Sequence, residues 1–270
     1  MQAQTIRALN QLNQEFYQQV AVDFNRTRQQ AWVGWQKILP ILQKNQFFKK
    51  KIKVLDIACG NGRFAWFLQD RGLDFSYSGL DNNHQLLRLA KKSLTAKKIE
   101  HKLKHFDLID NYLKQQEINW PVAKKFDLIV VFGLSHHLPG QKLRKAFLTS
   151  LENLLNQDGL LVISNWQFAK DKQRFEKHYL NQNRLKKLNL EQQSKLARLI
   201  EELENNDYLL DWSSQKATEN QQQAWRYCHL IDEQEMDLLI ENSNLKIVDN
   251  FLADGKSQQL NQYFVLKKTE

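Results

Sequence analysis

Residues 54–64 read Val-Leu-Asp-Ile-Ala-Cys-Gly-Asn-Gly-Arg-Phe, a spacing that can hold a polar ligand against bare backbone. A short apolar run containing Asp56 turns through Gly60 and Gly62. It then becomes amphipathic at Phe64, Trp66, Phe67 and Leu68, which reads as a buried strand, a tight turn and a helix. The two glycines remove side chains where a ligand approaches, and the helix start offers unpaired N–H groups and the positive end of a dipole. A carboxylate suits such a site as well as a phosphate does. Asp56, just before the turn, can order the loop and receive an ammonium group. The segment lacks the Gly-Lys-Ser/Thr ending of a nucleoside triphosphate cradle. It also lacks the third glycine of the dinucleotide fingerprint, Phe64 and Ala65 standing there instead. A second strand-like stretch, Phe75 to Leu80, ends in Asp81, an acid placed to accept hydrogen bonds from both hydroxyls of a ribose.

These residues resemble the first motif of the class I S-adenosylmethionine (SAM)-dependent methyltransferases, with Asp81 matching their ribose-binding acid. The family usually has three glycines at alternate positions; here Ala58 replaces the first, a change that costs little at negative φ. The resemblance implies SAM as cofactor. It also implies an acid against the adenine amino group after the third strand, for which Asp107 is the choice, with Phe106 and Leu108 offering apolar faces to the ring. Residues 126–132, Phe-Asp-Leu-Ile-Val-Val-Phe, form the nearly continuous apolar run of a central parallel strand. That strand ends at Phe132 beside the methyl donor and leads into Gly133-Leu134-Ser135-His136-His137. Asn82, following Asp81, completes the cofactor set.

The elements that must position these residues follow from periodicity. Ile6–Val20 and Ala31–Phe48 read as two amphipathic helices, giving an N-terminal cap over residues 1–50. From Lys51 to Phe168 strands alternate with helices, the pattern of a doubly wound α/β sheet. In that reading Lys142–Leu155 is a helix closed by Asp158-Gly159, and Leu160–Phe168 is the fifth strand. Ala169–Leu210 interrupts the alternation, so residues 169–215 form a basic, helix-favouring insertion after the fifth strand. Its leucines and isoleucine at 185, 188, 196, 199, 200 and 203 predict one stripe packed on the body. The insertion is either a solvated appendage or a nucleic-acid-binding arm. Residues 216–270 complete the sheet: Trp225–Leu230, a helix over 233–242, and strands Leu245–Phe251 and Leu260–Lys267. The whole is a Rossmann-like seven-stranded sheet with its last strand antiparallel.

Composition sets the outer bounds. The formal charge of +9 favours an anionic partner, nucleic acid first. No uninterrupted apolar run is long enough to span a bilayer. The start of the chain is Gln-rich and amphipathic, unlike a signal peptide. Cys59 and Cys228 lie in different motifs and suggest neither a disulfide framework nor a metal site, so a reducing, cytoplasmic setting is expected.

Within the family, the two ends of the chain resemble the wobble-uridine tRNA methyltransferases and their bacterial relatives. Phe16-Tyr17, Phe24 to Arg28 and Trp32 match their opening, although the prolines flanking the Trp are missing. His136-His137, Arg144, Trp166 and Arg226-Tyr227-Cys228-His229 also match. Enzymes of that group esterify a carboxymethyl group on the wobble uridine, and eukaryotic members work with a small activating partner protein. The resemblance therefore implies tRNA as partner and Arg28, His136, Arg226 and His229 as candidates for positioning a carboxylate. A carboxylate nucleophile is already ionised and needs no base. A hydroxyl or ring nitrogen would ask His136 or His137 to remove a proton. A small-molecule O-methyltransferase and a non-catalytic SAM- or RNA-binding subunit are the other readings.

Overall fold

The computed structural model describes residues 1–27, 29–122, 125–211, 224–241 and 243–269. Helix α1 (Ala3–Thr27) and helix α2 (Val33–Lys44) precede the sheet. The first runs further than its apolar periodicity predicts, and the second stops before a short 3-10 turn at Phe47–Lys49. The alternating core follows as β1 (Ile52–Ile57), α3 (Arg63–Asp70), β2 (Phe75–Asp81), α4 (His84–Ala96), β3 (His101–His105) and α5 (Leu108–Gln115). It continues through β4 (Phe126–Phe132), α6 (Gln141–Leu154) and β5 (Leu155–Trp166).

Asp158-Gly159 does not close a helix, as its turn chemistry suggests. It lies inside β5, where the pairing with β4 slips between Phe126 and Leu128. Close packing requires the glycine, because a Cβ there would meet Leu155 at 2.8 Å and the Phe126 carbonyl at 3.0 Å. The pair is thus a bulge that absorbs extra residues in a strand otherwise buried on both faces.

The insertion is only partly helical. Helices α7 (Lys172–His178), α8 (Gln182–Leu185) and α9 (Leu190–Glu201) are followed by β6 (Asp207–Asp211), which pairs antiparallel with β7 (Trp225–His229) in a second, two-stranded sheet. The predicted leucine stripe packs as expected: Leu185, Leu196 and Leu199 are buried against Leu9 and Leu12 of α1 and Trp225 and Tyr227 of β7, with Leu188, Ile200 and Leu203 at the edge. Helix α10 (Glu233–Ile240) and strands β8 (Leu245–Ala253) and β9 (Asn261–Lys268) finish the chain.

The main sheet has the order β3-β2-β1-β4-β5-β9-β8, parallel except that β9 runs against both of its neighbours. Helices α5, α6 and α10 bury Ile109, Phe147 and Met236 on one face, and α2, α3 and α4 bury Trp35, Phe64 and Leu94 on the other. Ile129, Val130 and Val131 of β4 are fully buried between these layers, which is why that strand reads as a continuous apolar run. Strands β1 and β4 are neighbours whose chains leave in opposite directions, so a crevice opens at their carboxyl ends. No helix among the described residues is long and apolar enough to cross a membrane.

Candidate active site at the carboxyl edge of the sheet

A cavity of about 470 Å³ occupies that crevice, within the usual range for a small-molecule site. Its floor on one side is the turn after β1. Gly60 and Gly62 adopt φ of +55° and +76°, conformations that glycine reaches without strain. A Cβ on Gly60 would meet nothing within 4 Å, so its bare backbone borders open space, whereas one on Gly62 would meet Ala90 and Leu94 at 3.3 Å. Gly62 therefore serves the packing of α3 on α4, and it is absent from the cavity wall. Ala58 has φ +61°. The low cost expected at negative φ does not hold, because the left-handed region costs an L-residue roughly 1–2 kcal/mol.

Two acids from adjacent strand ends face this turn. Asp56 is buried, and the Tyr77 hydroxyl donates to its Oδ2 at 2.6 Å. Burial pushes the Asp56 carboxyl up to about 7, against the opposing pull of the Tyr77 hydrogen bond. Asp81 Oδ2 accepts from Gly60 N and Oδ1 from Asn83 N, both at 2.8 Å. Burial raises its pKa too, while those backbone donors hold it down. Each oxygen keeps a lone pair for a further donor. Asn82, beside it, lines the cavity and is exposed.

The opposite side is built from helix α1, the turn after β4, and β7. The Phe132 ring lies on this wall, 5.0 Å from Phe64 and 5.5 Å from Trp35. His137 Nδ1 meets the Tyr227 carbonyl at 2.8 Å, so that nitrogen carries the proton, and Nε2 accepts from the Tyr17 hydroxyl at 2.8 Å. Burial, aided by nearby Arg226, lowers its pKa to about 3. His136 is held well below the usual histidine range by burial, then by His137 and Arg226. It makes no hydrogen bond with the described residues, and its Nδ1 is buried without a partner. Arg226 presents its guanidinium to the Phe16 ring at 4.9 Å and the Trp166 ring at 4.6 Å. Its Nε is buried and unpartnered, and no carboxylate among the described residues pairs with it. Asn13 Nδ2 and Trp35 Nε1, which also line the cavity, are buried without partners among the described residues. Unsatisfied polar groups are rare in folded proteins, and this cavity gathers four of them.

A family model described as a methyltransferase domain matches residues 24–250, well over half of the chain. The protein belongs to this methyltransferase family. A curated relative from Alkaliphilus oremlandii, an uncharacterized methyltransferase, is 32% identical over 123 residues, which is 46% of this chain and 50% of that one. The match thus spans about half the relative's length. Among solved structures, an S-adenosylmethionine-dependent methyltransferase from Clostridium acetobutylicum superposes with a TM-score of 0.63 at 14% identity, covering 94% of this chain and 99% of that one. A SAM-dependent methyltransferase from Methanosarcina mazei gives 0.58 at 16% identity over 86% and 98% of the two chains. Magnesium protoporphyrin IX methyltransferase from Synechocystis PCC 6803, with bound SAH, gives 0.52 at 11% identity over 87% and 81%. At such identities the likeness is one of fold.

In this methyltransferase, Asp56, Ala58, Gly60, Asp81, Asn82, Phe132, His136 and Arg226 line this one cavity. Phe106, Asp107 and Leu108 do not; Ile109 is the residue of that segment which reaches the cavity. Asp107 instead caps α5 by accepting from Asp110 N at 2.9 Å, and it takes the amides of Asn10 (3.1 Å) and Gln14 (2.5 Å) from α1. His229 also lies off the wall, since strand alternation turns it to the face of β7 opposite Arg226. There it sits between Asp207 and Glu235, both at 2.6 Å. Arg28 lies outside the described residues.

Several cavity residues have no site role in the sequence reading, although Phe16, Tyr17 and Trp32 belong to the segment that resembles the wobble-uridine enzymes. Asn10, Asn13, Phe16 and Tyr17 arrive on α1, and Trp32, Trp35 and Arg63 form a cation–aromatic cluster at 5.0 Å beside the glycine turn. The polar spacing at 10, 13 and 17 on a helix that is otherwise apolar on one side was the available signal.

Proposed function

We propose that this methyltransferase uses S-adenosylmethionine to esterify an anionic acceptor, the carboxymethyl group of a wobble uridine in tRNA. The cavity residues fit the donor. The desolvated Asp56 carboxyl, with its pKa near 7, gains from an ammonium group. Asp81 retains acceptor capacity for ribose hydroxyls, and the bare turn at Gly60 beside the α3 N-terminus and Arg63 suits the amino-acid carboxylate. The bound cofactor supplies an electrophilic methyl group on a sulfonium.

The chain's own contribution is positioning and the exclusion of water. The observation that carries the reading is Arg226, a cation with no acid partner among the described residues, clamped between Phe16 and Trp166 on the cavity wall. Such a group orients a carboxylate through hydrogen bonds while the flanking rings keep water away. His136, neutral because its pKa is pushed well down, adds a polar contact without a second positive charge that would quench the nucleophile. His137 is committed to Tyr17 and the Tyr227 carbonyl, so it holds α1 in place. A carboxylate acceptor asks neither histidine for a base.

The resemblance of the chain ends to wobble-uridine enzymes supports tRNA as the carrier of that carboxylate. Mass spectrometry of tRNA nucleosides from cells with and without the gene tests it. A methyl ester at one wobble uridine that disappears with the gene is the expected result. Unchanged nucleosides, together with no incorporation by the purified protein into tRNA from the deletion strain, refute it.

A further inference from the structure

Helix α7 stands at the mouth of the cavity, with Arg174 on the wall and Asp171 capping the helix through Arg174 N at 3.1 Å. Lys170, Lys172 and Lys177 are exposed along the same segment, and Lys186 and Lys187 are exposed just beyond α8. None of these cations forms an ion pair with a described residue. Lys172 and Glu176 are four residues apart on one helix and still do not pair. Asp171 and Glu176 stand among these cations, yet the stretch keeps a net positive charge, which favours a polyanion.

The same segment carries a file of rings. Trp166 lies 5.2 Å from Phe168, Phe168 6.0 Å from Phe175, and Phe175 stacks on Tyr179 at 5.2 Å. Trp166, Phe175 and Tyr179 are each half-buried, and the file begins at the residue that clamps Arg226. A ligand leaving the cavity on this side thus meets rings and then unpaired cations.

We propose that α7 and the turn leading into it form a docking lip for the phosphate backbone of the nucleic acid whose target nucleotide enters the cavity. This rests on the RNA reading above and places a specific load on the insertion. Rings beside phosphate-binding cations suit unpaired bases next to a backbone. An anionic lipid surface fits less well, because a membrane-binding helix presents protruding apolar side chains. Among the described residues the large exposed hydrophobics are Val22, Val33, Phe48, Leu190, Leu238 and Val248, none of them on α7 or α8.

The test compares wild type, a lip variant (Lys170→Glu, Lys172→Glu, Lys177→Glu) and a control with the same change in net charge on exposed residues elsewhere (Lys91→Glu, Lys92→Glu, Lys102→Glu). Binding to deacylated bulk tRNA is measured over a salt series, with S-adenosylhomocysteine affinity as the check on folding. The lip variant is expected to lose at least about tenfold in tRNA affinity, and its slope of log K against log salt should fall by roughly 2–3. The control should stay near wild type, and cofactor affinity should be unchanged in all three. Equal losses in lip and control overturn the proposal, as does wild-type binding to phosphatidylglycerol vesicles but not to tRNA. Methyl incorporation is read in parallel. Intact tRNA binding by the lip variant with methylation preserved removes the lip and leaves the acceptor reading standing. Lip-dependent tRNA binding without methyl incorporation removes the acceptor reading and leaves the lip.

Discussion

Asparagine in place of Asp56 keeps the shape of the side chain and its acceptance of the Tyr77 hydroxyl (2.6 Å) while removing the charge. Burial raises the Asp56 carboxyl from 3.8 to about 7 in the folded protein. A raised native pKa means that the native state binds a proton the unfolded chain has released. Its stabilising effect is therefore complete below pH 3.8 and is lost as pH rises towards 7. At one pKa unit per 1.36 kcal/mol, the ionised carboxylate costs the ligand-free protein about 4 kcal/mol above neutrality. Urea denaturation of wild type and Asp56→Asn from pH 5 to pH 8 reads this directly. The variant's advantage should widen by about 2–3 kcal/mol across that range. Calorimetry with S-adenosylhomocysteine gives the functional half. Wild-type affinity should fall as pH drops below 7, because the proton competes with the ligand's ammonium, and the variant should bind weakly with a flat profile. A stability difference that stays constant from pH 5 to pH 8 refutes the reasoning, because it would mean that Asp56 titrates alike in folded and unfolded chains.

Arg226→Gln should lower kcat/KM for tRNA by roughly 10- to 100-fold, the worth of hydrogen bonds to a charged group, with S-adenosylhomocysteine affinity within about twofold; equal losses in both would show a structural role. Ala58→Gly removes left-handed strain at φ +61° against a smaller entropic penalty, so the urea midpoint should rise by the equivalent of about 0.5–1 kcal/mol. Burial pulls the His229 pKa down, but hydrogen bonds to Asp207 and Glu235 outweigh it and leave the pKa raised. Its contribution is then full below pH 6.5 and lost as pH rises through the native value, so the melting temperature of wild type should decline above neutrality and His229→Gln should flatten that decline. Refolded wild type and variant with parallel pH profiles would contradict that.

The parts of the fold legible in the sequence were those set by local rules. The run through Asp56 to Gly62, the acid at Asp81 and the apolar β4 each announce their conformation within a few residues. The sheet that joins them follows from alternation alone. What stayed hidden depends on distant neighbours. Asp107 has the sequence context of a ligand, but α1, nearly a hundred residues earlier, delivers Asn10 and Gln14 onto it. The sign of φ at Ala58 and the bulge at Asp158-Gly159 are decided by packing across strands. Residues 207–211 read as the tail of a helical arm because their strand partner, β7, lies beyond a long intervening segment. Arg226 was legible as a candidate, while its separation from His229 onto opposite faces needed only the two-residue period once β7 was known to be a strand.

Helix α1 touches both ends of the cavity through a few residues on one side. Asn13 Oδ1 accepts from Tyr227 N at 2.7 Å, Tyr17 reaches His137, Asn10 and Gln14 hold Asp107, and the Tyr17 carbonyl receives Asn83 at 3.3 Å. Positions 10, 13, 14 and 17 share a face only while the helical count between them is kept. Removing one residue from this stretch would swing everything before it by about 100°, withdrawing the early contacts together from α5 and β7. In a library of variants, the outward side of α1 should accept nearly any helix-forming residue, while a single-codon deletion anywhere between Asn10 and Tyr17 should be as damaging as losing the glycine turn.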